Sequence, residues 1–165
     1  MSGGKNQFVV MGVSGCGKST VAEMLAQETG GVFLDADDFH PPANREKMAS
    51  GIPLCDDDRW GWLEILNREL KTLDGSGKSV FLACSALRQV YRDHLSEGLP
   101  HLRFIYLKGS AELIRSRMAS RDNHFMPTSL LDSQFATLEE PRDAIIAHIS
   151  LPLQELIENI HHQIN

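Results

Sequence analysis

The stretch Gly12-Val13-Ser14-Gly15-Cys16-Gly17-Lys18-Ser19 fits the pattern G-x-x-x-x-G-K-[ST] at every fixed position. Glycines let a backbone curl until successive N–H groups converge on a polyphosphate, and the helix that follows aims its positive end at the same point. In such a loop Lys18 reaches the β- and γ-phosphates, and Ser19 offers its hydroxyl to Mg²⁺. Both flanks agree with the motif. Phe8-Val9-Val10-Met11 is an apolar run of strand type directly before it, and Val21, Met24, Leu25 and Glu28 recur at helical spacing after it. The segment from Gly12 to Thr20 is therefore expected to bind a nucleoside triphosphate.

Outward from the loop, strand-like runs recur at 8–11, 32–34, 80–84, 104–107 and 144–149, with helical patterns between most of them. The alternation predicts an α/β fold of three layers (α/β/α), a parallel five-stranded sheet covered by helices on both faces. Trp62, Leu66, Leu70 and Leu73 mark one core-facing stripe, and Leu153, Leu156, Ile157, Ile160 and Ile164 mark another on the last helix, opened by Ser150-Leu151-Pro152. Gly30-Gly31 ends the first helix, and Asp74-Gly75-Ser76-Gly77 reads as a turn. A chain of 165 residues fits a single domain, 1–165. Within it, the stretch at about 120–138 has no clean period and carries arginine, histidine and proline, which suits a small lid.

Hydrophobic residues make up 42% of the chain and charged ones 23%, as in an ordinary globular protein. The net charge of −6 disfavours nucleic acid as a partner, so an anionic ligand must be held by a local cluster of donors. No run is long and apolar enough for a membrane span, and the first residues lack a signal-peptide core, so a cytoplasmic location is expected. Cys16, Cys55 and Cys84 are an odd number without metal-ligand spacing. Cys16 lies at a helix start in an electropositive loop, a setting that lowers a thiol pKa and predicts alkylation against which a nucleotide protects; the alternative is a small tolerated residue.

The run Val32-Phe33-Leu34 ends in Asp35-Ala36-Asp37-Asp38-Phe39-His40-Pro41. Ligands of parallel sheets bind beyond the carboxyl ends of strands, which puts these acids beside the phosphate loop. With period-two spacing Asp35 faces a metal and Asp37 an acceptor hydroxyl; a solvated, helix-capping turn is the alternative. Arg59 follows three acids, a pattern that elsewhere is only a charged loop. Arg88 and Arg92 lie four apart, as do Arg117 and Arg121, so each pair is expected to share a helix face. Arginines that converge on one cleft suit a carboxylate or a transferring phosphoryl group. His40 and His124 stand beside Asp37 and inside the lid, and are candidates for substrate contact rather than metal ligands.

Taken in order, the phosphate loop, Asp-Ala-Asp-Asp-Phe-His-Pro at 35–41, Lys47 to Leu54, Asp57-Asp58-Arg59, Ala83 to Leu87, Tyr91-Arg92-Asp93, His124-Phe125-Met126-Pro127 and Ser133 to Glu139 resemble the gluconokinases over nearly the whole chain. That family shares the P-loop kinase fold of nucleoside monophosphate and shikimate kinases and is typically homodimeric. The resemblance implies transfer from ATP, with Mg²⁺, to D-gluconate, giving 6-phospho-D-gluconate for the pentose phosphate and Entner–Doudoroff routes. It implies nucleotide binding by Gly12, Val13, Ser14, Gly15, Cys16, Gly17, Lys18, Ser19 and Thr20, with Lys18 neutralising charge on the transferred group. It implies metal support by Ser19 and Asp35, and orientation or deprotonation of the acceptor hydroxyl by Asp37. His40, Arg59 and Arg92 become gluconate contacts, with Arg88 a weaker candidate. Arg117 and the catalytic Arg121 close over the phosphates, and His124 and Gln134 line the closed site. The chain departs from the family at Arg88, where many members have lysine, and at Cys55, where many have asparagine.

Rival readings are a kinase for another polyol acid such as shikimate, a nucleoside monophosphate kinase, and a nucleotide-binding switch. The 35–41 segment is unlike the monophosphate kinases, and no Asn-Lys-x-Asp guanine-reading motif follows a strand. The turn around His148 to Leu153 is a candidate neighbour of the adenine by fold analogy.

Overall fold

The computed structural model describes residues 6–119 and 128–164. Strands β1 (Gln7–Met11), β2 (Val32–Asp35), β3 (Val80–Ala83), β4 (Arg103–Lys108) and β5 (Ile145–His148) form one sheet in the order β2-β3-β1-β4-β5. Every neighbouring pair is parallel. The helices are α1 (Lys18–Thr29), α2 (Pro42–Ala49), α3 (Asp56–Leu73), α4 (Gln89–Ser96), α5 (Ala111–Ala119), α6 (Thr128–Thr137) and α7 (Leu153–Ile164). A short 3₁₀ turn, Ala36–Phe39, follows β2.

β1 is buried along its whole length because it is the central strand. Its side chains alternate between two cores, as strand geometry requires. Phe8 and Val10 pack with Val21, Leu25, Ile157 and Ile160 from α1 and α7. Val9 and Met11 pack with Leu63, Leu66, Leu70 and Leu95 from α3 and α4. The predicted three layers and five strands are thus present, with strand ends moved by a residue. Among the described residues, no helix is long and apolar enough to cross a membrane.

Two helices lack an anticipated counterpart. α2 begins with proline in its first turn and exposes most of its surface, so it has no apolar stripe to read. α6 occupies the second half of the segment expected to be a lid; residues 120–127 of that segment, and with them Arg121 and His124, lie outside the described residues. α5 and α6 are joined by an Arg115–Asp132 ion pair.

The register places the chemistry. Asp35 pairs with Ala83, and Ala83 with Val10, so the ends of β2, β3 and β1 stand in one row. The loops that leave this row therefore meet.

Candidate active site

The phosphate loop leaves β1 with φ of 150° at Gly12 and 82° at Gly15. A Cβ at Gly12 would lie 2.7 Å from the Cys16 sulfur and 3.0 Å from the Leu107 carbonyl oxygen, so this tight passage needs glycine. Gly17 is the N-cap of α1, in left-handed conformation and without a side-chain cap, and no acid lies in the first turn. The helix thus presents open N–H groups and its positive end, the chemistry an anion requires. Lys18 Nζ donates to the Val13 carbonyl at 3.2 Å, folding the side chain over the loop.

Opposite the loop stands the acidic segment. Asp35 Oδ2 accepts from Ser19 Oγ at 3.3 Å, and Oδ1 accepts from Asp37 N–H at 3.0 Å, which starts the 3₁₀ turn. That turn ends the strand-like alternation, so Asp35 and Asp37 are not a period-two pair. They reach the same cleft of about 410 Å³ by a different route, lining it with Ser14, Lys18, Ser19 and Trp62. One hydroxyl and one carboxylate suit Mg²⁺, an ion that keeps several waters and substrate phosphates. No group of three or more His, Cys, Asp or Glu that could hold a metal occurs among the described residues.

His40 is buried beneath this segment. Its ring stacks on Trp62 at 4.2 Å between centroids, Nδ1 lies 3.3 Å from Asn44 Nδ2, and Nε2 lies 4.0 Å from Asp37. Burial lowers its pKa, so the neutral ring is favoured. The Asn44 amide donating to Nδ1 places the proton on Nε2, facing Asp37. Trp62 is itself fixed by donation from Nε1 to the Ala36 carbonyl at 2.8 Å.

A larger cavity of about 910 Å³ adjoins the phosphate cleft and shares Trp62, Cys84 and Ser85 with it. Arg59, Arg88, Tyr91 and Gln134 are on its wall. Both guanidinium carbons lie 5.4 Å from the centre of the Tyr91 ring. Asp56 ties the group together, accepting from Tyr91 Oη at 2.6 Å and Arg88 Nη1 at 2.8 Å, with Arg59 Nη1 3.7 Å away. The Tyr91 hydroxyl and, after it, the two arginines hold the Asp56 carboxyl below the usual range. Nearby, Lys47 donates to both oxygens of Asp58, whose carboxyl falls to about 2 chiefly through that contact. Asp58 also accepts from Cys55 N–H at 3.0 Å and so caps α3. Sequence reasoning missed Asp56 and Tyr91 as a unit, since they are 35 residues apart.

Other expectations need correction. Arg88 and Arg92 do not act from one helix face: Arg88 is the N-cap of α4 and reaches Asp56, whereas Arg92 lies within α4 and turns to backbone carbonyls. Arg92, only 1% exposed, donates to the carbonyls of Ala86 at 2.6 Å and Glu139 at 2.7 Å. Its position is that of a brace for the β3–α4 loop, and it is not on the wall of the large cavity. Cys16 is buried, and desolvation raises its thiol pKa despite the nearby Lys18, opposite to the expectation from its helix-start position. Burial likewise pushes Cys84 up to about 12.

Gln134 and Arg117 do meet the loop region. The Gln134 carboxamide accepts from Ser14 N–H at 2.7 Å and donates to Ser14 Oγ at 2.8 Å. Arg117 donates to the Ile149 carbonyl and lines a side cavity of about 280 Å³ with Gly17, Thr20, Leu151, Pro152 and Leu153. This brings the 148–153 turn beside the loop.

Known proteins resemble this chain in sequence and in fold. A family model described as an AAA domain matches residues 8–141. The thermoresistant gluconokinase of Escherichia coli strain K12 is 47% identical over 154 residues, 91% of this chain and 88% of that protein. The gluconokinase of Arabidopsis thaliana is 43% identical over 92% of this chain and 88% of its own length. A crystal structure of a gluconokinase from Sinorhizobium meliloti 1021 superposes with a TM-score of 0.87 at 43% identity, covering 97% of this chain and 91% of that one.

Proposed function

The chain belongs to the gluconokinase family, and from that premise we propose that it transfers the γ-phosphoryl group of ATP to D-gluconate, giving ADP and 6-phospho-D-gluconate. The observation that supports this most directly is the wall of Trp62, Cys84 and Ser85 shared by the phosphate cleft and the large cavity. A donor in one cavity and an acceptor in the other would meet at these shared residues.

In this reading the open N–H groups of the loop and α1 cradle the phosphates, and Lys18 neutralises charge on the transferred group. Ser19 and Asp35 would hold Mg²⁺, which would supply positive charge against the nucleotide phosphates. Asp37 accepts the proton of the terminal gluconate hydroxyl as its oxygen bonds to the γ-phosphorus and the bond to the β-phosphate oxygen breaks. His40 lines neither cavity; it packs on Trp62 beneath the segment with Nε2 4.0 Å from Asp37, beyond hydrogen-bond reach, so its part is to support the 35–41 turn. Arg59 and Arg88 hold the gluconate carboxylate in the large cavity, where bidentate pairing favours a planar acid. Arg92 acts by bracing the loop on which Ser85 and Arg88 are displayed. Arg117 serves the nucleotide, while Arg121 and His124 complete the closed site and Gln134 couples α6 to the loop.

A single domain, 1–165, with its lid at about 120–138, a cytoplasmic location and a homodimer belong to the same reading, the last testable by sedimentation. The activity is tested by ADP release with Mg²⁺ and ATP, comparing no acceptor, D-gluconate, shikimate and AMP. Stimulation by D-gluconate alone is expected, and Asp37→Asn should lower kcat by about 10²-fold through loss of the proton acceptor. Stimulation by shikimate or AMP instead would overturn the substrate assignment.

A further inference from the structure

Arg59 and Arg88 present two cations to the acceptor cavity, and one carboxylate already stands between them. Asp56 is not on the cavity wall. It lies at the first turn of α3, in contact with both guanidinium groups, and Tyr91 pins it there with the shortest contact of the cluster, 2.6 Å. Two other acids nearby have partners of their own. Asp58 is neutralised by Lys47, and Glu139, which also reaches the cavity, directs Oε1 to Gln89 N–H at 2.7 Å, where the start of α4 balances it. The two arginines and Asp56 together carry one net positive charge.

We propose that Asp56, held by Tyr91, sets the charge preference of the acceptor pocket, acting as a resident counter-ion that leaves Arg59 and Arg88 with the capacity for one substrate carboxylate. The proposal rests on the gluconate kinase reading and deepens it, because it assigns specificity to two residues that do not themselves need to touch the acceptor. Tyr91 supplies three restraints. Its ring is the surface against which both guanidinium groups lie, its hydroxyl donates to Asp56 and takes up part of the charge that would otherwise fall on them, and the same oxygen accepts from Arg59 Nη1 at 3.3 Å. The net attraction for an anion is then graded by three groups.

The experiment compares kcat/KM for D-gluconate with that for D-glucitol, a neutral polyol of the same length, in the wild type, Asp56→Asn, Asp56→Glu and Tyr91→Phe. Removing the Asp56 charge strengthens the field on a carboxylate and leaves a neutral acceptor unaffected. Asp56→Asn should therefore raise the gluconate-to-glucitol ratio by about fivefold at low salt, a gain that shrinks as ionic strength rises. Asp56→Glu should keep the wild-type ratio. Tyr91→Phe keeps the ring and frees the carboxylate for the arginines, so the ratio should fall by about twofold. A purely structural role for Asp56 and Tyr91 would depress both acceptors together, and an unchanged ratio in folded Asp56→Asn and Tyr91→Phe overturns the proposal. A wild type with no preference for gluconate over glucitol overturns the underlying substrate reading instead.

Discussion

Gln134 spends both ends of its carboxamide on one residue of the phosphate loop: its oxygen takes the Ser14 N–H and its nitrogen serves the Ser14 hydroxyl. α6 also contributes Ser133, Ala136 and Thr137 to the acceptor cavity. A nucleotide that claims the Ser14 N–H must therefore release a helix that forms part of the acceptor site. Gln134→Ala removes this competition, and ATP binding without acceptor should tighten by about threefold, the worth of one net hydrogen bond. Turnover at saturating ATP should change little, because bound nucleotide has already taken the Ser14 N–H from Gln134. Calorimetric titration together with kcat measures both; unchanged ATP affinity would remove Gln134 from this role.

Arg92 separates bracing from substrate contact. Its carbonyl partners include Ala86, which holds φ of 45°, an unfavourable left-handed conformation for a residue with a Cβ. Arg92→Ala should cost about 3 kcal/mol of stability in urea denaturation, through loss of buried charge-assisted bonds. Arg59→Ala should leave stability within about 1 kcal/mol and raise KM for gluconate at least tenfold. A large rise in KM with unchanged stability for Arg92→Ala would return Arg92 to the substrate.

His40 predicts a pH dependence. Burial lowers its pKa from the ordinary 6.5, so below that pH the unfolded chain binds the proton more readily than the folded one. The stability due to this group is complete above about pH 6.5 and is lost as pH falls through the lowered folded value. Urea midpoints at about pH 7.5 and about pH 5.5 should diverge more in the wild type than in His40→Asn. Equal divergence would show that protonation of His40 has no part in acid sensitivity.

The cysteines differ in accessibility. Cys55 is exposed at the start of α3, whereas Cys16 and Cys84 are buried with raised pKa values. Iodoacetamide near neutral pH should modify Cys55 first, and Cys16 at least tenfold more slowly with or without ATP. Mass mapping of the modified peptides tests this; early labelling of Cys16 would restore the reactive-loop reading.

What was legible in the sequence was what local spacing encodes. The loop, its two flanks and the strand ends could be read because each is a contiguous pattern, and Asp35 and Asp37 reached the cleft although a 3₁₀ turn replaced the alternation expected of them. Arginine roles were not legible in the same way. Four-residue spacing suggested that Arg88 and Arg92 act together, yet α4 begins at Gln89, so one arginine caps the helix and the other enters the core. Partners such as Asp56 for Tyr91 and Glu139 for Arg92 are set by how helices pack on the sheet, and residue spacing along the chain contains no trace of it.

Trp62 lies on the wall shared by the two cavities, its indole stacked on His40 and tethered to Ala36. The only other indole in the chain, Trp60, stacks instead on His94. The molecule thus contains its own optical gauge: in a Trp60→Phe background the emission of one fluorophore senses phosphate-side and acceptor-side occupancy alike. The order in which the two ligands arrive can then be followed by stopped-flow without attaching a dye.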